Sequence, residues 1–132
     1  MKVQEINVYL VPINNEKVLV LKRNSGCWEF PGGGVEFGEE PEITAVRECE
    51  EETGLKARDL TLLGVTSAVY EKNGDIKHSI YIVFAGYVDS QDIKISKEHG
   101  EAKWVYVEEL NFMNLCLNAR DVAYFIRSKN LR

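Results

Sequence analysis

Apolar and polar positions change rhythm along the chain, and the changes predict its elements. Residues 3–13, VQEINVYLVPI, are rich in β-formers and predict a strand. Asn14-Asn15 marks a turn, and 17–22, KVLVLK, is a nearly unbroken apolar run suited to a buried strand. Together they predict a hairpin. Arg23 to Gly26 reads as a loop. Trp28 and Phe30 then alternate about Glu29 as in a short strand, and Gly32, Gly33 and Gly34 predict a turn.

The stretch from about Pro41 to Thr53 reads as a short helix. Pro41 suits a first helical position, where its missing N–H is no loss, and Gly54 suits the left-handed residue that ends a helix. Glu40 stands where Ser, Thr, Asp or Asn would cap better. At about 100° per residue, Glu48, Glu51 and Glu52 fall on one face. Val46 and Cys49 lie roughly opposite and are expected to anchor the helix to a core. Like charges stacked this way destabilise a helix by about 0.2–0.5 kcal/mol per pair. Arg47, four residues before Glu51, offsets part of that. A divalent cation would convert the penalty into binding energy, since clustered carboxylates suit Mg²⁺ or Mn²⁺. A solvated acidic face is the other reading of the helix alone.

Beyond the helix the period returns to two. Leu60 to Tyr70 predicts a strand with a bulge at Gly64. Asn73-Gly74 is the strongest short hairpin signal, and 76–88 is the returning strand, with His78, Ile80, Ile82 and Phe84 on one face. Residues 89–101 are polar and predict a loop. Ala102 to Val107 predicts a strand, Glu108 to Leu110 a short turn or helix, and 117–128 an amphipathic helix marked by Val122, Phe125 and Ile126. This order predicts an α/β protein, a mixed sheet between helices in an α/β/α sandwich.

Composition narrows the function classes. At 132 residues the chain is expected to form one domain over 1–132. A net charge of -5 disfavours nonspecific nucleic-acid or anionic-membrane binding. Cys27, Cys49 and Cys116 are odd in number and lack CxxC spacing, which fits a reducing cytoplasm and predicts neither a disulfide framework nor a zinc site. With no signal-peptide pattern and no apolar run long enough for a membrane span, the expected location is cytoplasmic.

Gly33, Glu39, Arg47-Glu48, Glu51-Glu52 and Gly54-Leu55 carry more information as a set. Their spacing resembles the Nudix box, G-x(5)-E-x(7)-R-E-U-x-E-E-x-G-U, where U is a bulky apolar residue. Every fixed position is met, with Cys49 at the first U position in place of Leu, Ile or Val. Trp28 to Gly33 also resembles the lead-in W-x-F/L-P-G-G. The resemblance implies the Nudix α/β/α fold and Mg²⁺-dependent hydrolysis of a nucleoside diphosphate linked to a moiety X, with Mn²⁺ as a substitute. Water attacks phosphorus, and cations offset the charge that makes the pyrophosphate inert.

By the same resemblance, Glu51 and Glu52 are metal ligands and Glu48 is a ligand or the general base. Glu48, Glu51 and Arg47 form the expected catalytic set. Arg47 would orient a box glutamate through a charge-assisted hydrogen bond, and Glu39 has a supporting role. The carbonyl of Gly32 or Gly33 would complete a metal shell. A further carboxylate from outside the box is implied, with Glu98 favoured over Glu101 in SKEHGEAKW. Arg23, Trp28 and Tyr70 are candidates for substrate contact, with core packing the default for Trp28. A strand histidine such as His78 reads as structural, while His99, in the loop, can reach phosphate.

The expected partner is a small nucleotide, with a nucleoside triphosphate or close analogue favoured. Monomer and homodimer are both open. The SQPWPFPxS array of NADH-cleaving members is missing. Tyr70 occupies the place of the proline that marks ADP-ribose members, and resembles the tyrosine of dinucleoside-polyphosphate members. Two alternatives follow: a dinucleoside polyphosphate hydrolase, or a noncatalytic nucleotide-binding module. Such modules typically lose box glutamates, and this chain keeps all of them.

Overall fold

The computed structural model describes residues 1–131. The strands are β1 (Lys2–Asn14), β2 (Lys17–Arg23), β3 (Trp28–Glu29), β4 (Gly32–Gly34), β5 (Arg58–Lys72), β6 (Asp75–Tyr87) and β7 (His99–Tyr106). The helices are α1 (Pro41–Thr53) and α2 (Val122–Ser128), with 3₁₀ turns at Val107–Phe112 and Leu117–Ala119. The strands form one mixed sheet in the order β3-β2-β1-β6-β5, with β4 also paired to β1 and β7 to β2.

The period-two alternation of β1 and β2 builds two cores, one on each face of the sheet. Val8 and Leu10 of β1, with Leu19 and Leu21 of β2, meet Ala45 and Cys49 of α1. Tyr9, Val11 and Ile13, with Val18 and Val20, meet Val122, Ala123 and Ile126 of α2. This is the predicted α/β/α layering.

The sheet departs from the expected hairpin of β1 and β2. These strands pair only beside their turn, at Ile13↔Val18 and Asn14↔Lys17. Farther back the same edge of β1 is taken by β4, with Gly32, Gly33 and Gly34 opposite Tyr9, Val8 and Asn7. The glycine run is therefore a strand and not a free turn. A Cβ on Gly32 would collide with the Val8 carbonyl, so the close approach of β4 requires glycine. The other edge of β1 runs parallel to β6 from Lys2↔Ile76 to Ile13↔Tyr87.

Helix α1 has the predicted bounds. Gly54 sits at φ 77° and its N–H donates to the Glu50 carbonyl at 2.8 Å, closing the helix end. Glu40 makes no side-chain cap bond. The buried face differs from expectation: it comprises Thr44, Ala45, Cys49, Glu52 and Thr53, while Val46 is half-buried. The predicted helix over 117–128 starts later, at Val122, behind a 3₁₀ turn. Buried Asn118 explains the break, because its backbone carbonyl accepts a hydrogen bond from Thr66 Oγ1 of β5 at 3.1 Å. Strand β7 begins at His99, before the apolar run, because His99 pairs opposite Arg23 across a bulge in β2.

The cysteine expectation is overturned. Cys27 and Cys116 form a disulfide, with Cα atoms 5.0 Å apart across a separation of 89 residues. Backbone pairing brings them together: Trp28 N–H donates to the Asn114 carbonyl and Cys116 N–H to the Trp28 carbonyl, each at 2.8 Å. Cys49 is the free, buried cysteine. The cysteines therefore lend no support to a reducing compartment. Among the described residues no helix is long and apolar enough to cross a membrane.

Candidate active site

The acidic stripe of α1 is split by depth. Glu52 is buried at 4% exposure, Glu48 is half-buried, and the Glu51 side chain is 58% exposed. Strand β4 explains the first two positions. The Gly32 N–H donates to Glu52 Oε2 at 3.2 Å. Gly33 lies against the Glu48 carboxylate so closely that an added Cβ would stand 2.7 Å from Glu48 Cδ. Burial pushes Glu52 up to about 9; the Gly32 N–H opposes this, and the charges of Glu48, Glu29 and Glu98 add to it. Burial also raises Glu48, partly countered by Arg47. A cation among these oxygens would reverse the balance.

Arg47 is the hub of the helix's outer side. Its Nε and Nη2 donate to Glu39 Oε2 and Oε1 at 2.9 and 3.0 Å, a two-pronged pairing. Its Nη1 donates to Glu48 Oε1 at 3.0 Å and to Glu51 at 3.3 Å. Glu39 also accepts from Thr44 Oγ1 at 2.6 Å. The Arg47 bonds, then Thr44, hold the Glu39 carboxyl down at about 2. Glu39 thus fixes Arg47, and Arg47 fixes Glu48.

Facing the helix across a cleft of about 440 Å³ stands a second acidic centre, Glu29. Its carboxylate accepts from Tyr9 Oη at 3.1 Å, Arg23 Nη2 at 2.7 Å and His99 Nε2 at 2.9 Å. Burial opposes its ionisation, but the His99 and Arg23 bonds outweigh that and keep it below the usual carboxylate range. Residues 94–98 approach this cleft because the Lys94 and Ser96 N–H groups donate to the carbonyls of Thr53 and Glu52, at 2.9 and 3.2 Å. Glu52, Glu98 and His99 consequently each offer a ligand atom within 4.8 Å of the others. Two carboxylates and an imidazole are a donor set that fits a divalent cation.

An outer cleft of about 340 Å³ continues the first, sharing Tyr9, Arg23, Lys72 and Tyr81 and adding Tyr70 and Asn118. Tyr9 and Tyr81 stack at 4.2 Å between ring centroids. Cationic Arg23 and Lys72 beside tyrosine rings suit phosphate and base, respectively.

The structure brings Glu52, Gly33, Glu98 and Arg23 to the inner cleft and Tyr70 to the outer one. Glu48 packs against Gly33 of the cleft wall without lining either cleft, and Arg47, Glu51 and Glu39 join Glu48 through the Arg47 bonds, also outside the lining. Trp28, too, stays out of the lining. It packs partly buried against the α2-side core, with Lys22 Nζ 5.7 Å from its ring centroid, and lines neither cleft. His78 pairs with Gln4 at 2.9 Å, away from the clefts. Glu29, Tyr9 and Lys72 were not legible as site residues. Glu29 carried one signal, a carboxylate between two aromatics in a short strand.

Residues 3–126 match the family model described as NUDIX domain. The chain belongs to this family. Among NUDIX relatives, an ADP-ribose pyrophosphatase from Methanocaldococcus jannaschii is 37% identical over 100 residues, covering 73% of this chain and 58% of that protein. The mouse diphosphoinositol polyphosphate phosphohydrolase 3-alpha is 49% identical over 55 residues, covering 42% of this chain and 31% of that one. The match therefore spans less than two-thirds of either relative. Among solved NUDIX-like structures, a MutT protein from Methanosarcina mazei Go1 superposes with a TM-score of 0.79 at 33% identity, covering 99% of this chain and 98% of that one. A MutT NUDIX hydrolase from Burkholderia pseudomallei gives 0.82 at 25% identity, covering 94% and 98%.

Proposed function

We propose that this NUDIX chain is a divalent-cation-dependent pyrophosphohydrolase acting on a nucleoside diphosphate linked to X, with a nucleoside triphosphate or analogue favoured. The observation that carries this reading is the cleft itself. Box carboxylates Glu48 and Glu52 lie against the backbone of Gly33 and Gly32, opposite Arg23 and Lys72, with tyrosines beyond. Glu48, Glu52 and Glu98, helped by the Gly33 carbonyl and by Glu51 at the rim, would hold Mg²⁺ or Mn²⁺. The ion would supply charge neutralisation on the phosphate oxygens and a lowered pKa for water.

The chain's own groups do the rest. Arg47 holds the Glu48 carboxylate in place, so a proton leaving water has a fixed acceptor. Arg23, itself aligned by Glu29, orients the phosphate chain. The tyrosines exclude water from the base end. Tyr70, lining the outer cleft with its hydroxyl 2.9 Å from Ser79 Oγ, favours a dinucleoside polyphosphate as the second reading. The relative named ADP-ribose pyrophosphatase makes ADP-ribose a third substrate to test.

The test is product analysis with Mg²⁺ across nucleoside triphosphates, dinucleoside polyphosphates, ADP-ribose, nucleotide sugars and coenzyme A. A nucleoside monophosphate is the expected product. Glu48→Gln and Glu52→Gln should each lower kcat by about 10²-fold or more. Wild-type turnover in both variants would overturn the site, and no cleavage of any pyrophosphate would overturn the activity.

A further inference from the structure

His99 joins the two acidic centres of the cleft. Its side chain is 3% exposed, and its Nε2 lies 2.9 Å from Glu29 Oε2. Its other nitrogen, Nδ1, is buried without a hydrogen-bond partner, a state otherwise found among the described residues only at Ser96 Oγ. A buried, unpaired ring nitrogen is costly and points to a further partner. An ionised carboxylate can only accept, so Nε2 carries a proton, and the tautomer with its one proton there has its lone pair at Nδ1. Metal-binding imidazoles are commonly held this way, with one nitrogen on a carboxylate and the other on the ion. One nitrogen of the same ring lies within 4.8 Å of the oxygens that Glu52 and Glu98 offer, and with Nε2 held by Glu29 the nitrogen left for an ion is Nδ1.

We propose that His99 Nδ1 joins the carboxylates of Glu52 and Glu98 as a nitrogen ligand, so that the cleft, while still admitting Mg²⁺ or Mn²⁺, binds a transition-metal dication such as Co²⁺ or Zn²⁺ more tightly than its oxygens alone would. The inference rests on the hydrolase reading only in sharing its cleft. Mg²⁺ favours oxygen donors, whereas imidazole strengthens binding of the later first-row ions. Glu29 is then a positioning residue that fixes the ring's tautomer and orientation.

The test uses ¹⁵N resonances of the imidazoles in the metal-free protein titrated with Zn²⁺. The chain holds two histidines, so His78→Gln assigns the spectrum. The Nδ1 resonance of His99 should move to the coordinated range while Nε2 stays protonated. His99→Gln sets an amide nitrogen near the Nε2 position, keeping a donor to Glu29 while removing Nδ1. It should weaken Co²⁺ binding, read from the visible spectrum, by about tenfold or more, with Mg²⁺ affinity changed by less than about twofold.

An Nδ1 resonance unmoved at saturating Zn²⁺ would overturn the proposal, as would equal weakening of Co²⁺ and Mg²⁺ in a folded His99→Gln protein. If that variant does not fold, the wild-type spectrum decides alone. Cleavage of nucleotides by native protein with Mg²⁺ and a silent Nδ1 sinks this inference and spares the hydrolase reading. Coordination at Nδ1 with no pyrophosphate cleaved does the reverse.

Discussion

Glu39 and Gly33 show how much a single position contributes to the platform on α1. Glu39 has a folded pKa of about 2 against an ordinary 4.5, held there by Arg47 and Thr44. A depressed carboxylate stabilises the fold above its unfolded pKa, and that contribution drains away as pH falls from about 4.5 to about 2. Urea midpoints measured between pH 6 and pH 2 should fall across that window in the native protein. Glu39→Gln should be less stable at pH 6 and show a shallower acid decline. Gly33→Ala should push the Glu48 carboxylate aside, since the new Cβ has no room. Its expected signature is a loss of kcat of about tenfold or more with a nearly native melting curve, read by steady-state kinetics beside calorimetry. Box spacing made the identity of these residues legible, but not their depth. Glu51 and Glu52 are neighbours in one motif, yet one is exposed and the other buried. Helical periodicity places a residue on a face; only the neighbouring strand decides which part of that face is covered. Glu29 was illegible for a related reason, because its partners lie 6, 20 and 70 residues away.

Elements that end on strong local signals were the legible ones. Pro41 and Gly54 bracket α1, and Asn73-Gly74 turns β5 into β6, with Lys72↔Asp75 the last pair before the turn. Strand β4 escaped because glycine carries no side-chain pattern; its partner, β1, makes it a strand. The link between β3 and the segment before α2 escaped because it is nonlocal. It also carries a prediction. Alkylation of unfolded, unreduced protein should label Cys49 alone, and reduction should add Cys27 and Cys116. Closing a loop this long restricts the unfolded chain, so Cys27→Ser/Cys116→Ser should cost about 2–4 kcal/mol in denaturant titrations. A reduced native protein melting at the unreduced temperature would contradict this.

At the scale of the molecule, two cores clamp a sheet and leave the cleft at one end, where carboxylates from α1, β3 and the loop before β7 converge. Without a cation these charges repel, so bound metal should stabilise the whole fold. Mg²⁺ or Mn²⁺ at about 100 times its Kd should add about 2.7 kcal/mol of unfolding free energy, measured by denaturant titration with and without chelator. Glu52→Gln should lose most of that increment. An unchanged midpoint in native protein would mean that no metal binds the folded state preferentially. The layering was legible because strand and helix periods alternate in order along the sequence. The sheet order was not, since β1 and β6 carry no local sign that they are neighbours.

That pairing has a consequence for how the chain is made. Gln4 and His78, bonded across β1 and β6, are 74 positions apart. During synthesis the first strand emerges long before its parallel partner exists. Until about residue 87 has left the ribosome, the apolar stretch from Val8 to Ile13 has one flank with no strand to cover it. Nascent chains halted short of that point should therefore be protease-sensitive and ready clients for chaperones, and those halted just beyond it still lack β7 and α2, so full protection should come only once α2 has emerged. Glu98 and His99 arrive later still, so the cleft can hold no ion until most of the sheet is already in place.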